Sequence, residues 1–151
     1  MKRIVFLCLL FLGLALTAQS QLQDDNVTWR LSVKMTSPTE GNVVLKANIE
    51  PGWHLYGTQP VENGPVPTAF DFSDSEGVVF CGDFTPSVEP DMSFDENFGT
   101  EVGQWHGKVT FILPFTLTGS KEDVKIKGKI RFMSCNDINC TPPRTISLSA
   151  N

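Results

Sequence analysis

From Trp29 onward, apolar and polar residues alternate in run after run, a side-chain period of two that fits half-buried strands and not amphipathic helices. Trp29, Leu31, Val33 and Met35 alternate with Arg30, Ser32 and Lys34, and Val43, Leu45, Ala47 and Ile49 alternate with Val44, Lys46 and Asn48. Val109, Phe111, Leu113, Phe115 and Leu117 share one face of a longer run, while Val124, Ile126, Ile130 and Phe132 stand opposite Lys125, Lys127, Lys129 and Arg131. Val78-Val79-Phe80 reads as another strand, and Thr145 to Ser149, with Ile146 and Leu148 alternating, as a last short one. No window of useful length carries a helical period. Seven or more short strands at this spacing predict an all-β domain built as a two-sheet sandwich.

The breaks between runs agree with that reading. Ser37 to Asn42 forms a hairpin turn, Glu62-Asn63-Gly64-Pro65 a loop, and Thr118 to Asp123 a link between two strong strands. Pro114 lies within the longest run, and because it has no N–H for a ladder, it predicts an edge position or a bulge. The stretch from Pro86 to Gly103, rich in Pro, Asp, Glu, Gly and Asn, is the longest loop expected, and long loops in compact domains are often functional. The row Lys125, Lys127, Lys129, Arg131 has the period of a strand's solvent face, and is expected to be a solvated face and not a binding patch. Asn26-Val27-Thr28 matches a glycosylation acceptor, a short and weak match.

The amino terminus has a different character. Lys2 and Arg3 precede an apolar run from Ile4 to Ala18, and Ala18-Gln19-Ser20 supplies the small residues of a cleavage site. Residues 1–20 therefore read as a cleaved export signal, too short for the roughly 20 apolar residues of a comfortable membrane span. Residues 21–151 then form one domain with one core. Removing Lys2 and Arg3 leaves 10 basic against 17 acidic side chains, a net charge near −7. Such a surface repels phosphate backbones and anionic headgroups, so no nucleic-acid binding and no membrane insertion after signal removal are expected. The expected location is the periplasm or the cell exterior.

Cys8 leaves with the signal, so of the four cysteines Cys81, Cys135 and Cys140 remain. Cys135 and Cys140 are the natural couple, since a turn through Asn136-Asp137-Ile138-Asn139 can return the chain on itself. Cys81, following a short strand, is expected to be a small buried apolar filler. A zinc site wants four thiolate or imidazole ligands, and Cys81, Cys135, Cys140, His54 and His106 show no repeated ligand spacing, so no metal is expected. As a staple, the six-residue ring would contribute only roughly 2 kcal/mol through unfolded-chain entropy. Short rings tend to be strained, and strained or exposed disulfides are the ones that exchange. Continuing the alternation from Val124 places Cys135 on the outward face with the lysines. On chemistry alone, a redox-active pair and a purely structural one stay equally open.

Three motifs occur in order: Gly52-Trp53-His54-Leu55-Tyr56, then Asp95-Glu96-Asn97-Phe98-Gly99, then Cys135 to Cys140 followed by Pro142-Pro143. From about residue 24 to the end, the chain resembles the amino-terminal domain of the DsbD thiol:disulfide interchange family. The resemblance implies an immunoglobulin-like sandwich whose cysteine pair sits on a hairpin, with no organic cofactor. It implies that Cys140 forms the mixed disulfide with partners and Cys135 resolves it. It matches Asp95 and Glu96 to acidic residues that quiet the nucleophile, Phe98 to the aromatic of a cap loop over the sulfurs, and Tyr56 to a pocket tyrosine. His54 stands where a tyrosine is also common, and Asn97 where some relatives carry an aromatic. The implied partners are periplasmic thioredoxin-fold proteins, including those serving cytochrome c maturation, and a membrane electron donor.

Two departures accompany the likeness. Four residues separate the cysteines where some family members have five, which bears on redox poise. No membrane segment or thioredoxin-like module follows in this sequence, so the donor is expected to be a separate polypeptide. The rival expectation is a noncatalytic exported binding or scaffolding sandwich with an inert Cys135–Cys140 bond.

Overall fold

The computed structural model describes residues 26–151. The expected signal, residues 1–20, lies outside the described residues. The strands, in order, are β1 (Val27–Met35), β2 (Glu40–Ile49), β3 (His54–Tyr56), β4 (Ala69–Asp71), β5 (Val78–Phe80) and β6 (Thr85–Pro86). They continue as β7 (Asp91–Asp95), β8 (Thr100–Trp105), β9 (Lys108–Leu117), β10 (Ile126–Phe132), β11 (Ser134–Cys135) and β12 (Arg144–Ala150). One 3-10 turn, Lys121–Asp123, interrupts the link between β9 and β10. Among the described residues, no helix is long and apolar enough to cross a membrane.

The alternation becomes architecture in two facing sheets. In the first, β1 pairs antiparallel with β2 and β2 with β9, and β5 and β6 share the far edge of β9. The hairpin joining β1 to β2 closes where Ser37 Oγ accepts the N–H groups of Thr39 and Glu40, at 3.2 and 3.0 Å. The second sheet runs β12-β10-β4. Val43, Leu45, Phe111, Phe115, Ile126 and Ile130 are essentially sealed between these layers. Full burial of each such side chain contributes roughly 1.5–3 kcal/mol. Trp29 sits among Phe70, Phe111 and Phe132 with ring centroids 6.2, 6.0 and 5.5 Å away. Gly128 takes an inward position of β10 because a Cβ there would come within 2.3 Å of the Phe72 ring.

The basic row of β10 is the solvated face the sequence implied. Lys125 and Lys127 both reach Glu76, at 3.2 and 2.6 Å, and Lys129 reaches Asp74 at 2.9 Å. Exposed pairs of this kind contribute at most about 1 kcal/mol each.

A third sheet, in the order β11-β3-β8-β7, continues from the sandwich where β2 ends, β9 begins and β10 ends. The observed architecture corrects four sequence expectations. Much of the Pro86 to Gly103 stretch is a β hairpin, with β7 and β8 in register from Asp91 opposite Gln104 to Asp95 opposite Thr100. Pro114 is neither at an edge nor in a bulge: β9 has partners on both sides, and the ladder from Asn42 to Pro114 is regular. The proline is tolerated because its carbonyl, which accepts from the Cys81 N–H at 2.8 Å, and its missing donor both face the gap between β5 and β6.

The other two corrections concern cysteines. Cys135 is fully buried and not outward, because the chain leaves β10 after Phe132 and changes sheets, which breaks the parity. Cys81 is a free, exposed thiol and not a core filler: it continues the outward parity of Val79 on β5.

Candidate functional site

The third sheet positions every candidate residue by the same period of two. Leu55 turns into the main core, so His54 and Tyr56, on either side of it in β3, project from the opposite face. In the ladders, Cys135 lies opposite His54, and Gln104 of β8 lies opposite Tyr56. Asp95 ends β7 on the same face, beside the turn into β8.

Cys135 and Cys140 form a disulfide, with Cα atoms 4.1 Å apart. The intervening turn is written into its asparagine. Asn136 Oδ1 accepts the N–H groups of Ile138 and Asn139 at 2.9 and 2.6 Å, and the Asn136 N–H donates to the Asn139 carbonyl at 2.9 Å. Below it, the Thr141 N–H donates to the Ser134 carbonyl at 2.9 Å. The two sulfurs differ in access: Cys135 has no exposed surface, Cys140 is half-buried, and Ile138 at the tip is 82% exposed.

The Glu96–Gly99 turn stands over this pair. Its shape is held by Asp95, whose carbonyl accepts from the Phe98 and Gly99 N–H groups at 3.3 and 2.7 Å and whose Oδ1 accepts from the Asn97 N–H at 2.9 Å. Gly99 supplies the left-handed backbone, φ 67°, that closes the turn. Phe98 then packs with Met133, Val61 and Cys140 around a small buried cluster of Tyr56, Val102 and Cys135. Its ring meets Tyr56 edge-on at 5.8 Å. Asn97 Nδ2 reaches across to the Asn136 carbonyl at 3.5 Å, joining this turn to the cysteine hairpin.

Asp95 is only 3% exposed and is satisfied as a buried carboxylate must be. Its Oδ2 accepts from the Tyr56 hydroxyl at 2.7 Å and from Gln104 Nε2 at 3.0 Å, and Ser93 Oγ donates in turn to Gln104 Oε1 at 3.0 Å. Burial alone would raise its pKa, but the Tyr56 and Asn97 donors and the nearby His54 outweigh it, so the carboxyl lies below the ordinary carboxylate range. Burial first, and then the bond and charge of Asp95, push the Tyr56 hydroxyl well above the usual phenol range.

His54 Nε2 lies 3.4 Å from Asp95 Oδ2, within ion-pair range, yet it is buried without hydrogen-bond alignment to any partner. The contact is electrostatic. Burial lowers the imidazole pKa, the Asp95 charge opposes this, and His106, with its ring 5.8 Å away, adds to the lowering. The net direction is below the ordinary imidazole value. Glu96 is exposed and lines a groove of about 620 Å³ with His54, Phe94, His106 and Asp137. Among the described residues, no group of three or more His, Cys, Asp or Glu side chains could hold a metal ion.

All seven candidate residues, Cys135, Cys140, Asp95, Glu96, Phe98, Tyr56 and His54, therefore belong to one face of the third sheet and the two turns above it. Sequence reasoning missed Gln104 and Ser93, which complete the carboxylate network, and the bridging role of Asn97. Gln104 carried a signal, since it shares the inward parity of Val102 on β8.

Comparison with known proteins follows the same lines. The family model described as thiol:disulfide interchange protein DsbD, N-terminal, matches residues 18–150. The N-terminal periplasmic domain of ScsB from Proteus mirabilis is similar in fold, with a TM-score of 0.61 and 18% identity over 86% of this chain and 48% of that one. This chain thus spans about half the length of that domain. The Neisseria meningitidis DsbD N-terminal domain in the reduced form gives a TM-score of 0.53 and 16% identity over 82% of each chain. No curated protein sequence matches the chain significantly. The sandwich and these neighbours agree on an immunoglobulin-like all-β fold. By the match over residues 18–150, the chain belongs to the family of DsbD amino-terminal domains.

Proposed function

We propose that this is a periplasmic thiol:disulfide exchange domain, exported by cleavage of residues 1–20, in which Cys135 and Cys140 cycle between disulfide and dithiol. Cys140 makes the mixed disulfide with a partner, and Cys135 resolves it. The observation that carries the reading is the unequal access of two bonded sulfurs beneath an ordered turn, in a chain of this family. An incoming thiolate reaches half-buried Cys140 once the turn moves, whereas Cys135 is sealed. Attack on one sulfur with release by the other is how exchange proceeds, and the accessible sulfur takes the first role.

The surrounding residues have definite parts in this scheme. Phe98 is the lid that excludes water and small oxidants until a protein partner displaces it. Asp95 and Glu96 place negative charge near the pair and disfavour a resting thiolate. Tyr56 fixes Asp95. The partners are thioredoxin-fold periplasmic proteins, with electrons supplied by a separate membrane protein, and no metal or organic cofactor takes part.

The test combines a potential with a trap. Equilibration of the protein in glutathione buffers, with free thiols counted, gives a reduction potential within physiological reach if the pair is a relay. The Cys135→Ala variant then accumulates thiol-sensitive adducts through Cys140 in cells. A bond that stays closed at every reachable poise, with no adducts, leaves a structural staple in a binding sandwich.

A further inference from the structure

Resolution requires Cys135 to become a thiolate at a place with no exposed surface. Thiolates, not thiols, attack disulfides, and an apolar site holds a thiol in its protonated form. The proton therefore needs an acceptor within the protein. In the β3–β11 ladder the residue directly opposite Cys135 is His54. Opposed residues of an antiparallel pair project from the same face with Cβ atoms about 4.5–5.5 Å apart.

The surroundings of His54 suit a base. Its ring packs edge-on against Tyr56 at 5.0 Å, and its Nε2 is buried 3.4 Å from Asp95 Oδ2, on the side where a new positive charge would be stabilised. The titratable groups facing it are Tyr56 from its own strand, Asp95 from β7, His106 after β8, and Asp137 from the cysteine hairpin. Glu96 of the cap turn lines the same groove. Burial and His106 keep the imidazole neutral at rest, while Asp95 and Asp137 favour the imidazolium once it forms.

We propose that His54 is the proton acceptor for Cys135 in the resolving step, with Asp95 holding the imidazolium. This rests on the exchange reading above and adds its proton path. In the electron-donating direction, Cys140 as thiolate first attacks the partner disulfide and releases one partner thiolate. Neutral His54 then takes the Cys135 proton, and the Cys135 thiolate attacks Cys140 Sγ. The Cys135–Cys140 bond forms, the bond from Cys140 to the partner breaks, and the second partner sulfur leaves as a thiolate. That thiolate recovers the proton from the imidazolium directly or through water. Two electrons pass to the partner disulfide, and the dithiol is oxidised.

The reaction of the reduced protein with dithionitrobenzoate reads the two steps separately, because each releases one coloured thiolate. A Cys81→Ser background removes the exposed third thiol. The second release is followed from about pH 5 to about pH 9, and its profile in the parent is expected to rise through the imidazole range and level off near pH 7. In His54→Gln the rise moves toward the thiol range near ~8.5, and the rate near pH 7 falls at least about tenfold, with the first release little changed. Superposable second-release profiles in parent and His54→Gln overturn the assignment while leaving exchange intact. A parent with no second release overturns the exchange reading and this inference with it. Should His54→Gln fail to fold, the parent profile alone decides: a midpoint in the imidazole range supports the assignment and one near ~8.5 overturns it.

Discussion

The Tyr56 hydroxyl donates to Asp95 Oδ2 at 2.7 Å across 39 residues of sequence, tying the third strand to the turn that stands over the disulfide. The bond is buried and its acceptor is charged, which places it among the stronger ones. Tyr56→Phe is expected to cost about 1.5–3 kcal/mol, since a hydrogen bond to a charged group is lost without a change of shape. Thermal denaturation at neutral pH measures this, and an unchanged midpoint would show that the bond contributes nothing net.

The same carboxylate gives the fold an acid sensitivity of known sign. The Asp95 carboxyl lies below its ordinary value in the folded chain, so its stabilisation is present above the unfolded carboxylate value, about 3.9, and is lost as pH falls through the lower folded value. Asp95→Asn should therefore be less stable than the parent at neutral pH, and the gap should close as pH drops below about 4. Denaturation midpoints over a pH series check it. A gap that stays constant into acid would mean that the carboxylate's charge is not what stabilises the turn.

Phe98 can be tested by truncation. It is half-buried against the cluster around Cys135, so Phe98→Ala should open the disulfide to small reductants at little cost to the core. Reduction by dithiothreitol is expected to accelerate by about an order of magnitude, equivalent to about 1.4 kcal/mol of lost covering contact. Equal rates in parent and variant would argue that the ring does not govern access.

Gly128 tests the packing of the sandwich itself. A methyl group at that position meets the Phe72 ring inside van der Waals contact. Gly128→Ala should destabilise by about 1–3 kcal/mol through overpacking, despite the better strand propensity of alanine. Urea denaturation measures the loss, and a neutral substitution would show that Phe72 can move aside.

What the sequence disclosed follows from the strength of each local pattern. β1, β2, β9 and β10 were legible because Trp29, Leu45, Phe111 and Ile130 recur at period two with polar partners between them. The β7–β8 hairpin was not, because Pro90, Asp91, Ser93, Asp95, Gly99 and Gly103 spell a loop locally. Those strands owe their pairing to tertiary burial of Val102 and Trp105 and to the Asp95 network. Two of the cysteines were misplaced, for different reasons. Cys81 continued an outward alternation that its apolar neighbours obscured, and Cys135 followed a change of sheet that no periodicity within one strand encodes. His54 and Tyr56 were found through a motif and not a pattern, since three residues are too few to show alternation. Gln104 was legible in principle but stood just past a stretch read as loop.

The Glu96–Gly99 turn keeps its shape through bonds to Asp95, at its own base, while its polar link to the cysteine hairpin is the 3.5 Å contact from Asn97 to Asn136. On the exchange reading proposed above, it is a hinged shutter and not a sealing strap. Swinging it aside for such a partner would sever one long hydrogen bond and lift one ring, with no stretch of backbone left to be rewound when the visitor departs.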